Sequence, residues 1–384
     1  MGAKHIANPE KEFVPPSFTI KELRDSIPKH CFQRDTLRSF SYVAYDLCGV
    51  AFLTLCANHI NMLPPLLRVP AWISYWIAQG VICTGIWVIA HECGHGAFSA
   101  NKTINNATGW VLHSALMVPY YSWRHTHSQH HKNTNNMNRD EVFVPRTKSY
   151  RGVQGEASTP AWVTESVFDE SPLYHLVKLI GQSVLGWPLY LYQNSSGPKY
   201  ARGASHFNPQ SVLFRPDQFW QIVMSDIGLL LAATALAYAT WCFSAATVFF
   251  YYGMPYLMVN FWLVTITYLQ HTDAEVPHYA DDEWNFVRGA LCTIDRDYGW
   301  ILNICLHHIQ DTHVAHHLFS QMPHYHALEA TKHIKQKLGK YYHYDRTNFL
   351  VSLYHNFKHC HFVEDTGSIL FYRNTSVPKP GVTY

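Results

Sequence analysis

Four long apolar stretches organise the sequence. They cover approximately residues 42–63, 71–90, 219–243 and 247–270. Each approaches the roughly 20 residues that an α-helix needs to cross a bilayer. Pro64-Pro65 separates the first two stretches, and no Lys or Arg lies between the last two. The pattern predicts an all-α integral membrane protein with four transmembrane helices in two pairs.

Charges around the first stretch predict the orientation. Lys21, Arg24, Lys29, Arg34 and Arg38 precede it, and the loop after it carries a single cation, at position 68. The positive-inside rule therefore places the N-terminus in the cytosol. Two paired crossings return the chain to that side each time. We expect an N-terminal segment (1–40) and one membrane domain (41–384) whose cytosolic, histidine-rich helical cap comprises 91–218 and 271–384.

Three shorter apolar patterns predict helices that do not cross. The segments at 107–122 and 176–192 are expected to lie at the interface or re-enter it, because a single crossing at 107–122 would separate the polar clusters described below. Near the N-terminus, Phe18, Ile20, Leu23 and Ile27 have the spacing of a short amphipathic helix. Such a helix lies either on the bilayer or on its own domain.

Histidine is the unusual residue type, with 26 in 384 residues. Three clusters fall on the predicted cytosolic side: His91 and His95; His127, His130 and His131; His313, His316 and His317. Helical positions i, i+3 and i+4 share a face, so each cluster can direct two or three imidazoles at one point. His271 ends the fourth stretch and would be a ninth ligand, with His307 or His308 as alternatives.

Eight or nine imidazoles exceed what one metal ion binds and predict two metals, although imidazole suits Zn, Cu, Fe and Ni alike. Cys93 is expected to pack rather than bind, and His125 points to another face. Asp311 could orient an imidazole N–H. His324 and His326 are expected to support the ligands or lie at the surface.

Two other functions fit part of this pattern. His91-Glu-Cys-Gly-His95 matches the signature of zinc hydrolases, with Glu92 as general base, which would indicate an intramembrane metalloprotease. That enzyme needs one metal and leaves the two His-x-x-His-His clusters without a role. A non-catalytic metal-binding membrane protein is the second alternative. The net charge of +2 argues against nucleic acid as a partner.

The clusters and their flanking residues resemble those of the membrane fatty acid desaturases. Ala90-His-Glu-Cys-Gly-His-Gly-Ala-Phe-Ser99, Thr267-Tyr-Leu-Gln-His-Thr272 and Asp311-Thr-His-Val-Ala-His-His-Leu-Phe-Ser320 are similar to motifs of the acyl-lipid Delta-12 (oleate) and omega-3 branch. The similarity extends over approximately residues 17–370.

The resemblance implies a non-haem diiron oxidoreductase of the endoplasmic reticulum membrane. It would convert phospholipid-esterified oleate to linoleate with O2 and two electrons from a separate cytochrome b5 and its reductase. The irons would be held by the catalytic residues His91, His95, His127, His130, His131, His313, His316 and His317, with His271 as a further ligand. Glu92 would then support the ligands.

The resemblance leaves several alternatives open. Omega-3 desaturases, hydroxylases, epoxygenases and acetylenases share the same clusters, and the sequence does not indicate an oligomeric state. Tyr120, Tyr121 and Trp123 could line an acyl tunnel or belong to an interfacial aromatic belt.

Overall fold

The computed structural model describes residues 13–151 and 171–374, and the statements below refer to these. Parts of the predicted N-terminal segment and cap, at 1–12, 152–170 and 375–384, lie outside the described residues. The structure is mainly helical. The helices are α1 (Ile20–Asp25), α2 (Thr36–Ala57), α3 (Pro65–His95), α4 (Lys102–Ala115), α5 (Tyr120–Asn133), α6 (Pro172–Gln193), α7 (Phe219–Phe243), α8 (Ala245–Val248), α9 (Met254–His271), α10 (Phe286–Ala290), α11 (Trp300–Cys305), α12 (His313–Leu318), α13 (His324–Leu338) and α14 (Phe349–His359). A π-helical turn, Phe249–Gly253, joins α8 to α9, and 3-10 turns cover Lys29–Phe32, Ile60–Met62, Pro216–Gln218 and Gly339–Tyr341.

Among the described residues, four helical segments are long and apolar enough to cross a membrane, which confirms the predicted number. They are Thr36–Met62, Pro65–His95, Pro216–Phe243 and Ala245–His271. The first begins earlier than its apolar stretch because Asp35 accepts the backbone N–H of Arg38 at 3.1 Å and caps the helix. The second begins at Pro65, where a missing N–H costs nothing.

Helix α3 is the central helix of the bundle. Its most apolar window is 61% buried, whereas those of the first and third spanning helices are only 17% buried. Those two helices therefore expose their apolar side chains, as a lipid environment requires, while α3 packs against α2, α4, α5 and α9. It continues past the apolar stretch to His95 and ends at Gly96, whose φ of +73° reverses the chain.

None of the three shorter helices is among the four candidate spanning segments of the described residues. Helices α4 and α5 have 14 residues each, or about 21 Å of helix, against a hydrocarbon core of about 30 Å. Helix α6 has 22 residues with Pro188 inside, and it packs against α9 and α14. Of the two interpretations of α1, packing on its own domain is correct, because Leu23 and Ile27 are buried in one cluster with residues of α12 and α13.

The cap contains little sheet. Strand β1 (His278–Tyr279) pairs antiparallel with β4 (Ile369–Leu370), and β2 (Asp295–Arg296) pairs parallel with β3 (Tyr344–Asp345). Arg296 is buried and forms ion pairs with Asp273, at 2.8 Å, and with Asp345. Its Nε also donates to the carbonyl oxygen of Leu269 at 2.8 Å. The guanidinium thereby fixes the cap to the last turn of α9.

A second buried pair joins α2 to the cap. Asp46 Oδ2 lies 2.8 Å from Nε2 of His307, and both side chains are at most 2% exposed. A Cβ at Gly85 would lie 3.2 Å from that carboxylate oxygen and 2.5 Å from the carbonyl oxygen of Cys305, so glycine is needed for the approach. The pair gives a polar side chain of a spanning helix a partner that lipid could not supply.

We expect Asp46→Ala to destabilise the protein by about 3 kcal/mol, because it leaves His307 buried without its partner. Asp46→Asn keeps an acceptor for the imidazole and should cost less. The measurement is the apparent melting temperature of the detergent-solubilised protein. Equal melting temperatures for the wild type and Asp46→Ala would contradict a stabilising role.

Candidate metal centre

Imidazoles from distant segments converge where α3, α5, α9 and α12 meet. The structure brings together all eight histidines of the three predicted clusters and His271. A five-histidine group has donor atoms within 4.8 Å of one another and comprises His91, His95, His127, His131 and His316. In a second group, His130, His271 and His317 meet the same criterion, and His313 joins them through an Nε2–Nε2 distance of 3.1 Å to His271. We call this second set the four-histidine group.

Each His-x-x-His-His cluster contributes to both groups. In α5, His127 and His131 belong to the five-histidine group, whereas His130 belongs to the other. Helix α12 has the reverse arrangement. His316 belongs to the five-histidine group, whereas His313 and His317 belong to the four-histidine group. Neighbouring residues of a helix point about 100° apart, while i and i+4 share a face. The adjacent histidines therefore let one short helix serve two centres.

Two polar side chains fix the orientation of ligand candidates in the four-histidine group. His130 Nδ1 donates to Asp140 Oδ1 at 2.8 Å, and both side chains are buried. Thr134 Oγ1 uses its one proton to donate to the carbonyl oxygen of His130 at 2.8 Å. The same oxygen therefore accepts the Nδ1–H of His317, at 3.1 Å. Both imidazoles thus carry their proton on Nδ1 and present Nε2 to the group.

The sequence reasoning missed Asp140 and Thr134. Both lie in the polar segment after α5, and no periodic spacing relates Asp140 to His130. Asp140 also accepts the backbone N–H groups of Asn135, Val142 and Phe143. A carboxylate that organises a loop in this way could be found only from its contacts.

The donor set suits metal ions. Nε2 of His130, His316 and His317 is buried and has no protein partner. In the five-histidine group, Nε2 of His127 lies 2.9 Å from Nε2 of His91 and 3.1 Å from that of His131. Ligands at 90° around a metal with bonds of about 2.0–2.1 Å would be about 3 Å apart.

Burial also keeps the imidazoles neutral, which metal binding requires. It lowers the pKa of His316 to about 3. Burial, with smaller contributions from neighbouring imidazoles, lowers the pKa values of His127, His131, His313 and His317 well below the usual range.

Glu92 and Cys93 lie beside the groups without joining them. Glu92 Oε1 is 3.7 Å from Nδ1 of His91 and 4.0 Å from Nδ1 of His316, and Oε2 accepts the backbone N–H of His324 at 3.0 Å. The carboxylate therefore holds α13 next to the ligand candidates. Cys93 is buried in the apolar core.

The other histidines considered from the sequence lie elsewhere. His307 pairs with Asp46, and His308 contacts Asp311 at 2.9 Å, so neither takes the place of His271. The expectation that Asp311 orients an imidazole holds for His308, which is not one of the nine ligand candidates. His125 contacts Gln221 at 2.7 Å, away from both groups.

A cavity of about 640 Å³ adjoins both groups. Five ligand candidates line it: His91, His127, His130, His271 and His313. Apolar walls come from α3, α5, α6 and α9 and include Trp87, Trp123, Trp187, Leu263 and Ile266. Of the aromatic residues beside the second cluster, Trp123 lines the cavity. Tyr120 is fully buried outside its lining, against Gly109, and so belongs neither to this cavity nor to an exposed aromatic belt.

Comparison with known proteins agrees with this geometry. The family model for fatty acid desaturases matches residues 70–349, and a domain of unknown function matches residues 3–56. A Delta(12) fatty acid desaturase of Mortierella isabellina is 51% identical over 95% of this chain and 92% of its own length. An omega-6 fatty acid desaturase of Glycine max, an endoplasmic reticulum isozyme, is 45% identical over 94% and 91%. An oleoyl-12-hydroxylase of Ricinus communis has the same identity and coverage.

The family match covers both groups of imidazoles. A zinc metalloprotease, the alternative based on Glu92, is not supported. The chain belongs to the fatty acid desaturase family.

Proposed function

We propose that this protein converts oleoyl chains of membrane phospholipids to linoleoyl chains by Delta-12 desaturation. The observation that carries the proposal is the pair of histidine groups on the wall of an apolar cavity. A saturated C–H bond has no polar handle for acid–base catalysis, so a redox metal is needed. The Delta(12) names of the Mortierella relatives, at 51% and 50% identity, favour Delta-12 over omega-3 desaturation.

Iron is the metal that we propose for both groups, with all nine imidazoles as ligands. Two irons, when bound, would use O2 and two electrons to remove two hydrogens from neighbouring methylenes, with two further protons completing two waters. The residues of the chain hold the ligands in register: Asp140 orients His130, Thr134 orients His317, and Glu92 fixes α13 beside His316. The buried setting keeps bulk water from the reacting carbons.

The cavity suits an acyl chain attached to a charged headgroup. Its volume falls within the range of about 300–1,000 Å³ for ligand pockets. Arg146, Arg151 and Lys178 are among its lining residues. These cations suit the phosphate of a phospholipid, whereas the tryptophans and aliphatic residues suit its hydrocarbon chain. The lining thus offers groups suited to both parts of the substrate.

We infer an endoplasmic reticulum membrane location with the metal centre on the cytosolic side, where cytochrome b5 with its reductase would supply the electrons. The cations before α2 and the endoplasmic reticulum name of the Glycine max relative support this.

In sealed microsomes, a membrane-impermeant thiol reagent should label Lys340→Cys in the cap more than the parent protein. Labelling only after the membrane is permeabilised would contradict the orientation.

Hydroxylation at carbon 12 is the second candidate, because the Ricinus communis relative is named for that reaction at 45% identity. The family's fold accommodates both outcomes. The product therefore has to be identified chemically.

Expression in a yeast that makes only monounsaturated fatty acids should yield new linoleate in its phospholipids. Gas chromatography with mass spectrometry of the fatty acid esters measures this. A hydroxy fatty acid would indicate the second candidate, and trienoic acid formed only when linoleate is supplied would indicate omega-3 desaturation. With protein and cytochrome b5 present, no new product under either condition would contradict an enzymatic role.

Asp140→Asn should lower iron retention and linoleate yield about tenfold or more, because the amide loses the charge that supports His130 and directs a donor at the N–H of Asn135. Asp311→Asn is the matched control, since that carboxylate contacts His308 instead of a ligand candidate. Both are compared at equal protein level by iron content and product yield. If the two variants behave alike, Asp140 does not position a ligand.

A further inference from the structure

A second set of metal-binding side chains lies away from the histidine groups. It joins the 3-10 turn Lys29–Phe32 to helix α13 and comprises His30, Cys31, His326 and Glu329. One donor atom of each lies within 4.8 Å of the others. His326 and Glu329 are three residues apart on α13 and so share a face. We call these residues the N-terminal cluster.

The individual contacts converge on the ring of His30. Its Nε2 lies 2.9 Å from Oε2 of Glu329 and 3.7 Å from Sγ of Cys31. The ring of His326 meets it edge to face at 5.6 Å between centroids. An ordinary ion pair would account for the contact between His30 and Glu329. It does not account for a thiol and a second imidazole at the same point.

The surroundings make the cluster rigid on one side and accessible on the other. Cys31 is fully buried among apolar residues of α12 and α13, together with Leu23 and Ile27. The side chains of His30 and Glu329 are 51% and 45% exposed. A cation can therefore enter from solvent and meet a sulfur atom that is already fixed.

We propose that His30, Cys31, His326 and Glu329 bind one zinc ion that clamps the N-terminal segment onto α13. One thiolate, two imidazoles and one carboxylate form a four-coordinate donor set that zinc accepts. A tetrahedral zinc with these ligands separates its donor atoms by about 3.3–3.6 Å. The sulfur–nitrogen distance of 3.7 Å is close to this range, and the carboxylate would move outward by a few tenths of an ångström.

The charges of the donor set favour a dication. A dication beside the Cys31 sulfur would stabilise the thiolate over the thiol. The net charge of the bound cluster would then be zero, since two negative ligands balance the ion.

The clamp would act at a sensitive place. Helix α13 begins at His324, whose backbone N–H donates to Glu92 beside the ligand candidates His91 and His316. The zinc would hold this helix to the segment that leads into α2. The site is thus structural, and it does not depend on which acyl reaction the enzyme performs.

Cobalt substitution of the full-length protein in detergent tests the proposal. Cobalt also enters histidine sites, but only a thiolate ligand adds an intense near-ultraviolet charge-transfer band. We expect that band in the wild type and its loss in Cys31→Ser. Cys93→Ser is the matched control, because this thiol is also buried, lies next to the five-histidine group, and should leave the band unchanged.

Glu329→Gln provides a second, surface-located variant that should fold normally. This variant should bind cobalt about tenfold or more weakly, as measured by titration of the same band. His333→Asn on the same helix serves as its control. The proposal is overturned if the wild type saturated with cobalt lacks the band, or if the band persists in Cys31→Ser. Neither outcome bears on linoleate formation, so the clamp and the proposed activity are tested separately.

Discussion

Imidazole nitrogens buried without protein partners are the constraint on which the rest of the structure depends. Each such group costs about 1–3 kcal/mol when it is left unsatisfied. The orphaned Nε2 atoms of His130 and His317 lie in the four-histidine group, and that of His316 lies in the five-histidine group. Cations are the ligands that best offset this cost, because the same burial that disfavours protonation leaves the lone pairs available. Contacts other than metal ligation must therefore hold the helices when no metal is bound.

Those other contacts are ion pairs and hydrogen bonds of buried side chains near the centre. Arg296 ties the cap to the end of α9, and the pair of Asp46 with His307 ties the cap to α2. Glu92, Asp140 and Thr134 hold the ligand-bearing segments through hydrogen bonds or close approach. Apolar packing of the first and third spanning helices contributes little to these positions, because their most apolar windows are only 17% buried. Buried polar contacts thus give the site its geometry.

The sequence predicted what is locally encoded. Long apolar runs gave four spanning helices, and spacing by three and four residues gave the histidine clusters. The division of each His-x-x-His-His cluster between two groups was not predicted, because it depends on how α5 and α12 lie relative to each other. Asp140 was missed for a related reason, because its partner His130 lies ten positions away and a loop separates the two. Asp311 was expected to orient an imidazole, and only the fold shows that this imidazole is that of His308.

The central claim is that folding creates two metal positions, one in each histidine group. Anomalous X-ray scattering at the iron edge, from crystals of the iron-loaded protein, tests it most directly. The account predicts two peaks, one among His91, His95, His127, His131 and His316 and one among His130, His271, His313 and His317. A single peak, or iron located away from these imidazoles, would contradict it.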